Sequence, residues 1–124
     1  MSTLDRSDWN YYGYYHNDNG SNDFKVGGGF NYHQGPEWLW LTGYYLRALI
    51  QFSKNNKHSE EFEKIIREML SRLYTLEENN KWTGLPELTQ FMGEYCQSSC
   101  KIQSWSISCV LEALYDFYSI YSMH

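Results

Sequence analysis

Residues 82–89 place one carboxylate in a loop whose composition suits carbohydrate chemistry. Glu87 follows Pro86 directly, and Trp82 and Gly84 lie a few residues earlier. Aromatic faces pack well on sugar rings, and glycosidases use a pair of carboxylates on either side of the scissile bond. Glu87 is therefore a candidate for one member of such a pair. A lone loop glutamate is also often ordinary solvated surface, and residue type alone leaves both interpretations open.

A second polar and aromatic segment supplies further candidate contacts. His33 and Gln34 can donate and accept hydrogen bonds at sugar hydroxyls. Glu37 is a rival carboxylate. A place at the N-terminus of a helix, where the helix dipole favours negative charge, or a contact with a sugar hydroxyl is favoured for it over proton transfer. Gln103 is a candidate at the start of a later helix. The candidate stacking platforms are Trp38, Trp40, Trp82 and Trp105, of which at least two are expected in the core.

Composition excludes several function classes. The chain has 124 residues, a net charge of −5 and 12 Tyr, 6 Phe and 5 Trp. No basic block exists, so nucleic acid is not an expected partner. No long apolar run or signal segment is visible, which predicts a soluble, cytoplasmic chain without a membrane partner. Cys96, Cys100 and Cys109 are odd in number and lack a zinc-like spacing, so we expect reduced thiols, no metal and no cofactor.

The positioning elements are predicted to be helices. Residues 1–35 read mostly as loop, with turn residues at 17–23. Apolar patterning predicts helices at about 36–54, 59–77 and 100–121. Pro36 suits the first helical position, Ser59 an N-cap, and Ser98 or Ser99 the cap of the third helix. The first helix is apolar on nearly every face and should be buried. The third has only Glu112 and Asp116 as charges in its middle and should be largely buried, whereas the second is amphipathic.

This order of helices predicts where the candidate residues meet. Short connections favour antiparallel neighbours, so the first and third helices should run in the same direction, with the second outside them. Their leading loops should then share one rim. That rim would bring His33, Gln34 and Glu37 together with Trp82, Glu87 and Gln103. Alternating inner and outer helices are typical of α/α barrels and toroids, and a free-standing three-helix bundle is the alternative.

Two ordered motifs carry a resemblance to a known family. Residues 29–40 read Gly-Phe-Asn-Tyr-His-Gln-Gly-Pro-Glu-Trp-Leu-Trp, and residues 84–89 read Gly-Leu-Pro-Glu-Leu-Thr. Supporting matches are Gly43, Tyr44, Leu46, Arg47, Ala48, Trp82, Tyr95, Cys96, Ser99, Cys100, Gln103, Trp105, Ser106, Ile107, Leu111 and Glu112. With these residues the chain resembles the C-terminal, amylo-α-1,6-glucosidase region of eukaryotic glycogen debranching enzymes. The similarity extends over almost the whole chain.

The resemblance implies a fold and an activity. The fold would be all-α, a partial (α/α)6 toroid with long aromatic loops, and residues 1–124 would be its last few helices. The activity would be inverting hydrolysis of α-1,6-linked glucose at branch points of glycogen or another branched α-glucan. In the family the glutamate of the Leu-Pro-Glu-Leu motif is the general base, which corresponds to Glu87 here. The general acid would lie elsewhere in the debranching enzyme chain, so the remainder of that chain is an implied partner.

Three segments depart from the family pattern. Leu41 and Thr42 replace a proline and an aliphatic residue, and Lys101 replaces an acidic residue. Gln90, Phe91 and Met92 replace an asparagine-rich stretch. The last two departures border the expected site and put its substrate contacts in question.

Three functional hypotheses follow. The chain is part of a debranching glucosidase, a non-catalytic glucan-binding module, or a structural helical domain whose aromatic residues form its core. Under the first hypothesis we expect residues 1–124 alone to be inactive, because they lack the general acid.

Overall fold

A computed structural model describes residues 4–29, 31–54 and 56–121. Phe30, part of the first motif, and Asn55, in the segment predicted to end the first helix, lie outside the described residues, as do residues 1–3 and 122–124. By its contacts the chain divides into two compact units. One comprises Met1–Leu39 and Pro86–Lys101, and the other comprises Trp40–Leu85 and Ile102–His124.

The described residues are mostly helical. They contain three α-helices, which are α1 (Leu39–Ser53), α2 (Ser59–Asn79) and α3 (Ser104–Tyr121). They also contain two strands, β1 (Glu37–Trp38) and β2 (Leu88–Thr89), which pair antiparallel with Glu37 opposite Thr89 and Trp38 opposite Leu88. Short 3₁₀ helices occur at Gly27–Gly29, Asn31–His33 and Phe91–Gly93. The all-α class is thus supported, with a minimal sheet that the sequence did not predict.

In the first unit, side-chain amides hold the N-terminal loop. The buried Asn31 donates a hydrogen bond from Nδ2 to the carbonyl of Tyr12 at 2.9 Å, and its Oδ1 accepts one from the amide of His16 at 3.3 Å. Gln90 bonds both backbone groups of Tyr15, accepting at 2.5 Å and donating at 3.1 Å. Gln90, one of the residues that differ from the family pattern, therefore anchors the 11–16 segment through its side chain, much as a strand partner would.

In the second unit, α1 and α3 run in the same direction. Contacts between them follow the same order along both helices: Trp40 with Trp105, Arg47 with Glu112 and Asp116, and Ser53 with Tyr121. The two helices lie so close that a Cβ on Gly43 would come 2.4 Å from the backbone of Cys109. This parallel arrangement confirms the prediction made from the loop lengths.

The second helix returns antiparallel to α3. Arg67, in the first half of α2, lies over the Phe117 ring near the end of α3 at 4.8 Å. Gly84, after the end of α2, comes close to Ile107 near the start of α3. Between α2, residues 83–85 and α3 lies a groove of about 720 Å³. Among the residues that the structure describes, its lining includes none of the predicted site residues.

Two predicted helix starts are wrong. The first helix begins at Leu39 and not at about 36, because Glu37 and Trp38 adopt extended backbone to pair with β2. The third begins at Ser104 and not at about 100, and Ser99 does not cap it. The Ser99 hydroxyl instead accepts a hydrogen bond from the amide of Leu88 at 3.1 Å. Ser59 is the first residue of α2 with His58 at the N-cap position, and α2 runs to Asn79, two residues past its predicted end.

The prediction that α1 is buried and α3 largely buried is also wrong for this chain. A single stripe of α1 is buried, including Leu46 and Ile50, and so is a stripe of α3, including Val110 and Phe117. Several apolar residues of the two helices are exposed, namely Tyr44, Tyr45, Phe52, Trp105, Leu111, Tyr115 and Tyr118. Each helix has neighbours along one stripe only, so apolar side chains outside that stripe face solvent.

Candidate functional site

The backbone of Glu87 is held from both sides within the first unit. Its amide donates a hydrogen bond to the carbonyl of Cys100 at 3.0 Å, and its carbonyl accepts one from the amide of Leu39 at 3.2 Å. Pro86 restricts the backbone just before it, and β2 begins at the next residue. The half-buried Glu87 side chain therefore projects from a fixed point.

The Glu87 carboxylate is bonded by a tyrosine. The Tyr32 hydroxyl donates a hydrogen bond to Oε1 of Glu87 at 2.6 Å. Burial raises the pKa of Tyr32 well above its ordinary value, and the hydrogen bond and negative charge of Glu87 raise it further. Tyr32 is therefore a protonated donor at neutral pH. A hydroxyl that donates to a carboxylate makes a short, charge-assisted hydrogen bond, which fixes the direction of the carboxylate.

Tyr32 belongs to a packed aromatic cluster with two predicted site residues. Its ring lies 4.9 Å from that of Trp38 and 4.8 Å from that of His33, in edge-to-face arrangements. His33 and Trp38 stack on each other at 5.4 Å and 5°. The indole N–H of Trp38 donates to the backbone carbonyl of Tyr32 at 3.2 Å.

This cluster changes the interpretation of Trp38. Trp38 was expected to offer a stacking face to a sugar, but its side chain is only 5% exposed. The ring is therefore a support for Tyr32 and His33 in this structure. His33 is exposed and stays a candidate for contact with substrate.

The rival carboxylate, Glu37, makes hydrogen bonds within the first unit. Its Oε2 accepts hydrogen bonds from the amide of Gly93 at 3.1 Å and from the hydroxyl of Thr89 at 3.4 Å. The guanidinium of Arg6 lies 4.0 Å from Oε1. The expected role at the N-terminus of the first helix is wrong, because Glu37 lies in β1 and holds residues 89–93 to the N-terminal segment.

Gln34 also has partners in the loop. Its Oε1 accepts a hydrogen bond from Nδ2 of Asn10 at 2.5 Å, and its carbonyl accepts one from the amide of Tyr12 at 3.3 Å. These bonds tie the first motif to the 10–12 segment. The first unit thus brings His33, Gln34, Glu37, Trp38 and Glu87 together.

The other predicted site residues belong to the second unit. Trp82 lies in the turn after α2 and is 61% exposed. Trp105, in the first turn of α3, is 44% exposed and stacks on Trp40 at 5.2 Å and 27°. Gln103 directly precedes α3, and its amide donates to the carbonyl of Leu85 at 2.9 Å.

The departures near Glu87 have structural roles in the first unit. Phe91 donates its amide to the carbonyl of Gly13 at 2.8 Å, and its ring lies 4.4 Å from the guanidinium carbon of Arg6. The ammonium of Lys101 bonds the carbonyl of Gln97 and lies 4.9 Å from the centre of the Tyr95 ring. These residues therefore shape the loops around Glu87.

The three cysteines differ in their surroundings. All are free thiols, with Cys96 buried, Cys100 exposed and Cys109 intermediate. Burial raises the pKa of the Cys96 thiol. In the part of the chain that the structure describes, no group of three or more potential ligands could hold a metal ion. In the same residues, no helix is both long and apolar enough to cross a membrane.

Comparison with known proteins identifies the family. The family model described as amylo-alpha-1,6-glucosidase matches residues 1–112, and the chain therefore belongs to this family. A specific relative is the glycogen debranching enzyme of Saccharomyces cerevisiae (strain ATCC 204508 / S288c), which is 42% identical over 133 aligned positions. That alignment covers 98% of this chain and 8% of the yeast enzyme, so the chain spans a small part of its relative's length.

Proposed function

We propose that this chain is part of the α-1,6-glucosidase of a glycogen debranching enzyme and carries the general base, Glu87. The observation that carries the proposal is the 2.6 Å hydrogen bond from Tyr32 to the Glu87 carboxylate. Membership of the amylo-alpha-1,6-glucosidase family supports the reaction type. A partial (α/α)6 toroid, completed by the remainder of the enzyme in the cytoplasm, is the architecture that goes with this proposal. The parallel α1 and α3 with a returning α2 are compatible with it.

The proposed mechanism uses two carboxyl groups, one as a general base and one as a general acid. In inverting glycosidases the base activates water from the face opposite the leaving group, and the acid stands about 6.5–9.5 Å away. Glu87 would accept the proton of that water. As the resemblance to debranching enzymes implies, the acid would come from another part of the enzyme. Glu37 is bonded to Thr89 and Gly93, which makes it a poor candidate for that role.

The substrate would be a branched α-glucan with a single α-1,6-linked glucose at the branch. The exposed rings of Trp82 and Trp105 are suited to pack on glucose faces. His33 and Gln103 are proposed to bond sugar hydroxyls, with Gln34 supporting the loop that carries His33. No cofactor takes part in this chemistry.

The test is substitution of the base in the full-length enzyme that contains this chain. Glu87→Gln keeps the shape of the side chain but cannot take a proton. We expect glucose release from a branched limit dextrin to fall at least about 100-fold, with glucan binding largely kept. Glu68→Gln, on the exposed face of α2, is the matched control and should leave the rate unchanged. Loss of binding with normal turnover per bound substrate would assign Glu87 to another role.

Residues 1–124 alone are expected to release no glucose, because the acid is absent. Release of glucose from limit dextrin by the purified chain would overturn the proposal that the general acid comes from another part of the enzyme. A non-catalytic glucan-binding module is the second candidate, favoured by the exposure of Trp82. Under it, maltooligosaccharides would change tryptophan fluorescence in the purified chain, and Glu87→Gln would leave glucose release unaltered in the full-length enzyme.

A further inference from the structure

We propose that Tyr32 is the positioning residue of Glu87, with its hydroxyl aiming the carboxylate of the general base. This inference rests on the proposed function. The two residues are 55 positions apart in the sequence, so the fold creates their contact. Tyr32 was not among the residues singled out from the sequence.

The structure fixes Tyr32 at both ends. Its backbone carbonyl accepts the indole N–H of Trp38. Its ring is packed between Tyr15, at 5.3 Å, and Trp38, at 4.9 Å. A ring confined in this way has little rotamer freedom, so its hydroxyl keeps one direction.

Tyr32 and Glu87 are also both connected to the same pair of strands. Trp38, which holds Tyr32, pairs with Leu88 in β2. Leu88 is the residue directly after Glu87. The register of the strand pair therefore sets the distance between the two residues, and the hydroxyl meets Oε1 without a flexible link between them.

Such positioning has two chemical consequences. A displacement of about 1 Å in a reacting group can cost about 100-fold in rate, so a fixed carboxylate direction favours attack by water. A hydrogen bond to an ionised acceptor is also stronger than one to a neutral acceptor, so the hydroxyl is a firm restraint on the direction of the carboxylate. Because its own pKa is raised, Tyr32 stays a donor throughout the neutral range.

The test removes the hydroxyl and keeps the ring. In the full-length enzyme, Tyr32→Phe should lower kcat on limit dextrin by about 10-fold to 100-fold and change KM by less than about 3-fold. Tyr14→Phe removes a hydroxyl from a partly exposed tyrosine of the N-terminal loop and is the matched control, with both quantities unchanged.

Two further variants keep the proposal falsifiable. Trp38→Phe removes the N–H donor to Tyr32 while keeping an aromatic ring, and it should give a smaller loss of kcat, again with little change in KM. If Glu87→Gln is already in place, adding Tyr32→Phe should cause no further loss, because there is no base left to aim.

The outcomes separate this inference from the proposed function. If Glu87→Gln is inactive but Tyr32→Phe matches Tyr14→Phe in kcat, the positioning role is overturned and the general base stands. If Glu87→Gln keeps full glucose release, the proposed function fails. If Tyr32→Phe lowers kcat by the same factor with and without Glu87→Gln, the inference is also overturned, since that would indicate a packing role only.

Discussion

Two glutamates lie on neighbouring segments of the first unit, and their partners distinguish them. Glu37 accepts bonds from a backbone amide and a hydroxyl, both on one oxygen, and has Arg6 beside the other. Glu87 accepts a short bond from a tyrosine that stays protonated. Bonds such as those of Glu37 hold loops together, whereas those of Glu87 leave a half-buried, oriented carboxylate. Under the proposed function, the same residue type therefore has a structural role at one position and a chemical role at the other.

This difference predicts different responses to the same substitution. In the full-length enzyme Glu37→Gln should keep glucose release within about 5-fold of wild type, because the amide oxygen still accepts from Gly93 and Thr89. Its free energy of unfolding should fall by about 1 kcal/mol, from weaker hydrogen bonds to a neutral acceptor. Steady-state kinetics and thermal unfolding measure both effects. If Glu37→Gln were as inactive as Glu87→Gln, Glu37 would be a proton-transfer group.

The sequence was sufficient to single out Glu87 but not Tyr32. Glu87 is the acid of a short, ordered motif, and the proline beside it signals a fixed turn. Tyr32 is one of 12 tyrosines, and a contact between residues 55 positions apart leaves no periodic pattern in the sequence. Its position between Asn31 and His33, inside the first motif, was the available sign. Trp38 shows the converse, since its type suggested a sugar platform and its 5% exposure places it in the core.

At the scale of elements, the direction of the helices and the start of α2 could be predicted, whereas the starts of α1 and α3 could not. Direction follows from short connections, which the sequence displays. The starts of α1 and α3 depend on tertiary bonds: β1 pairs with β2, and the carbonyls of Cys100 and Leu85 accept bonds from Glu87 and Gln103. A two-residue strand is too short for an alternating pattern, so Pro36 and Glu37 looked like an ordinary helix start.

The close approach of two loop segments in the first unit yields a test at this scale. A Cβ on Gly35 would come 1.7 Å from the carbonyl oxygen of Tyr12. Because this oxygen belongs to the backbone, it cannot move aside without a large energetic cost. Gly35→Ala should therefore lower the free energy of unfolding by about 3 kcal/mol. Gly28→Ala is the matched control, because its Cβ would meet the end of the flexible Asp18 side chain. It should cost about 1 kcal/mol or less.

Chemical denaturation of the two variants measures the difference. Gly35→Ala should also lower the rate in the full-length enzyme, since the displaced segment leads through Gly35 into β1. Equal stability of the two variants would mean that residues 12 and 35 are not packed as described.

At the scale of the whole chain, exposed apolar surface is the dominant feature. On α3, Leu111, Tyr115 and Tyr118 lie on one face and are 57%, 75% and 60% exposed. Apolar patches of this kind mark surfaces that pack on other protein. Under the proposed function, further helices of the enzyme would cover this face. Burial of this face against other helices would explain why α3 has few charges and no polar face.

The face on α3 predicts that residues 1–124 associate in solution. In sedimentation equilibrium the average mass of the purified chain should rise with concentration, because association buries these side chains. The triple variant Leu111→Gln, Tyr115→Gln and Tyr118→Gln should shift the chain towards monomer. A matched triple variant on the exposed side of α2, Glu60→Gln, Lys64→Gln and Glu68→Gln, should leave association as it is. A wild-type chain that stays monomeric at every concentration and melts sharply would show that this face needs no covering, which would favour a free-standing helical bundle over part of a ring.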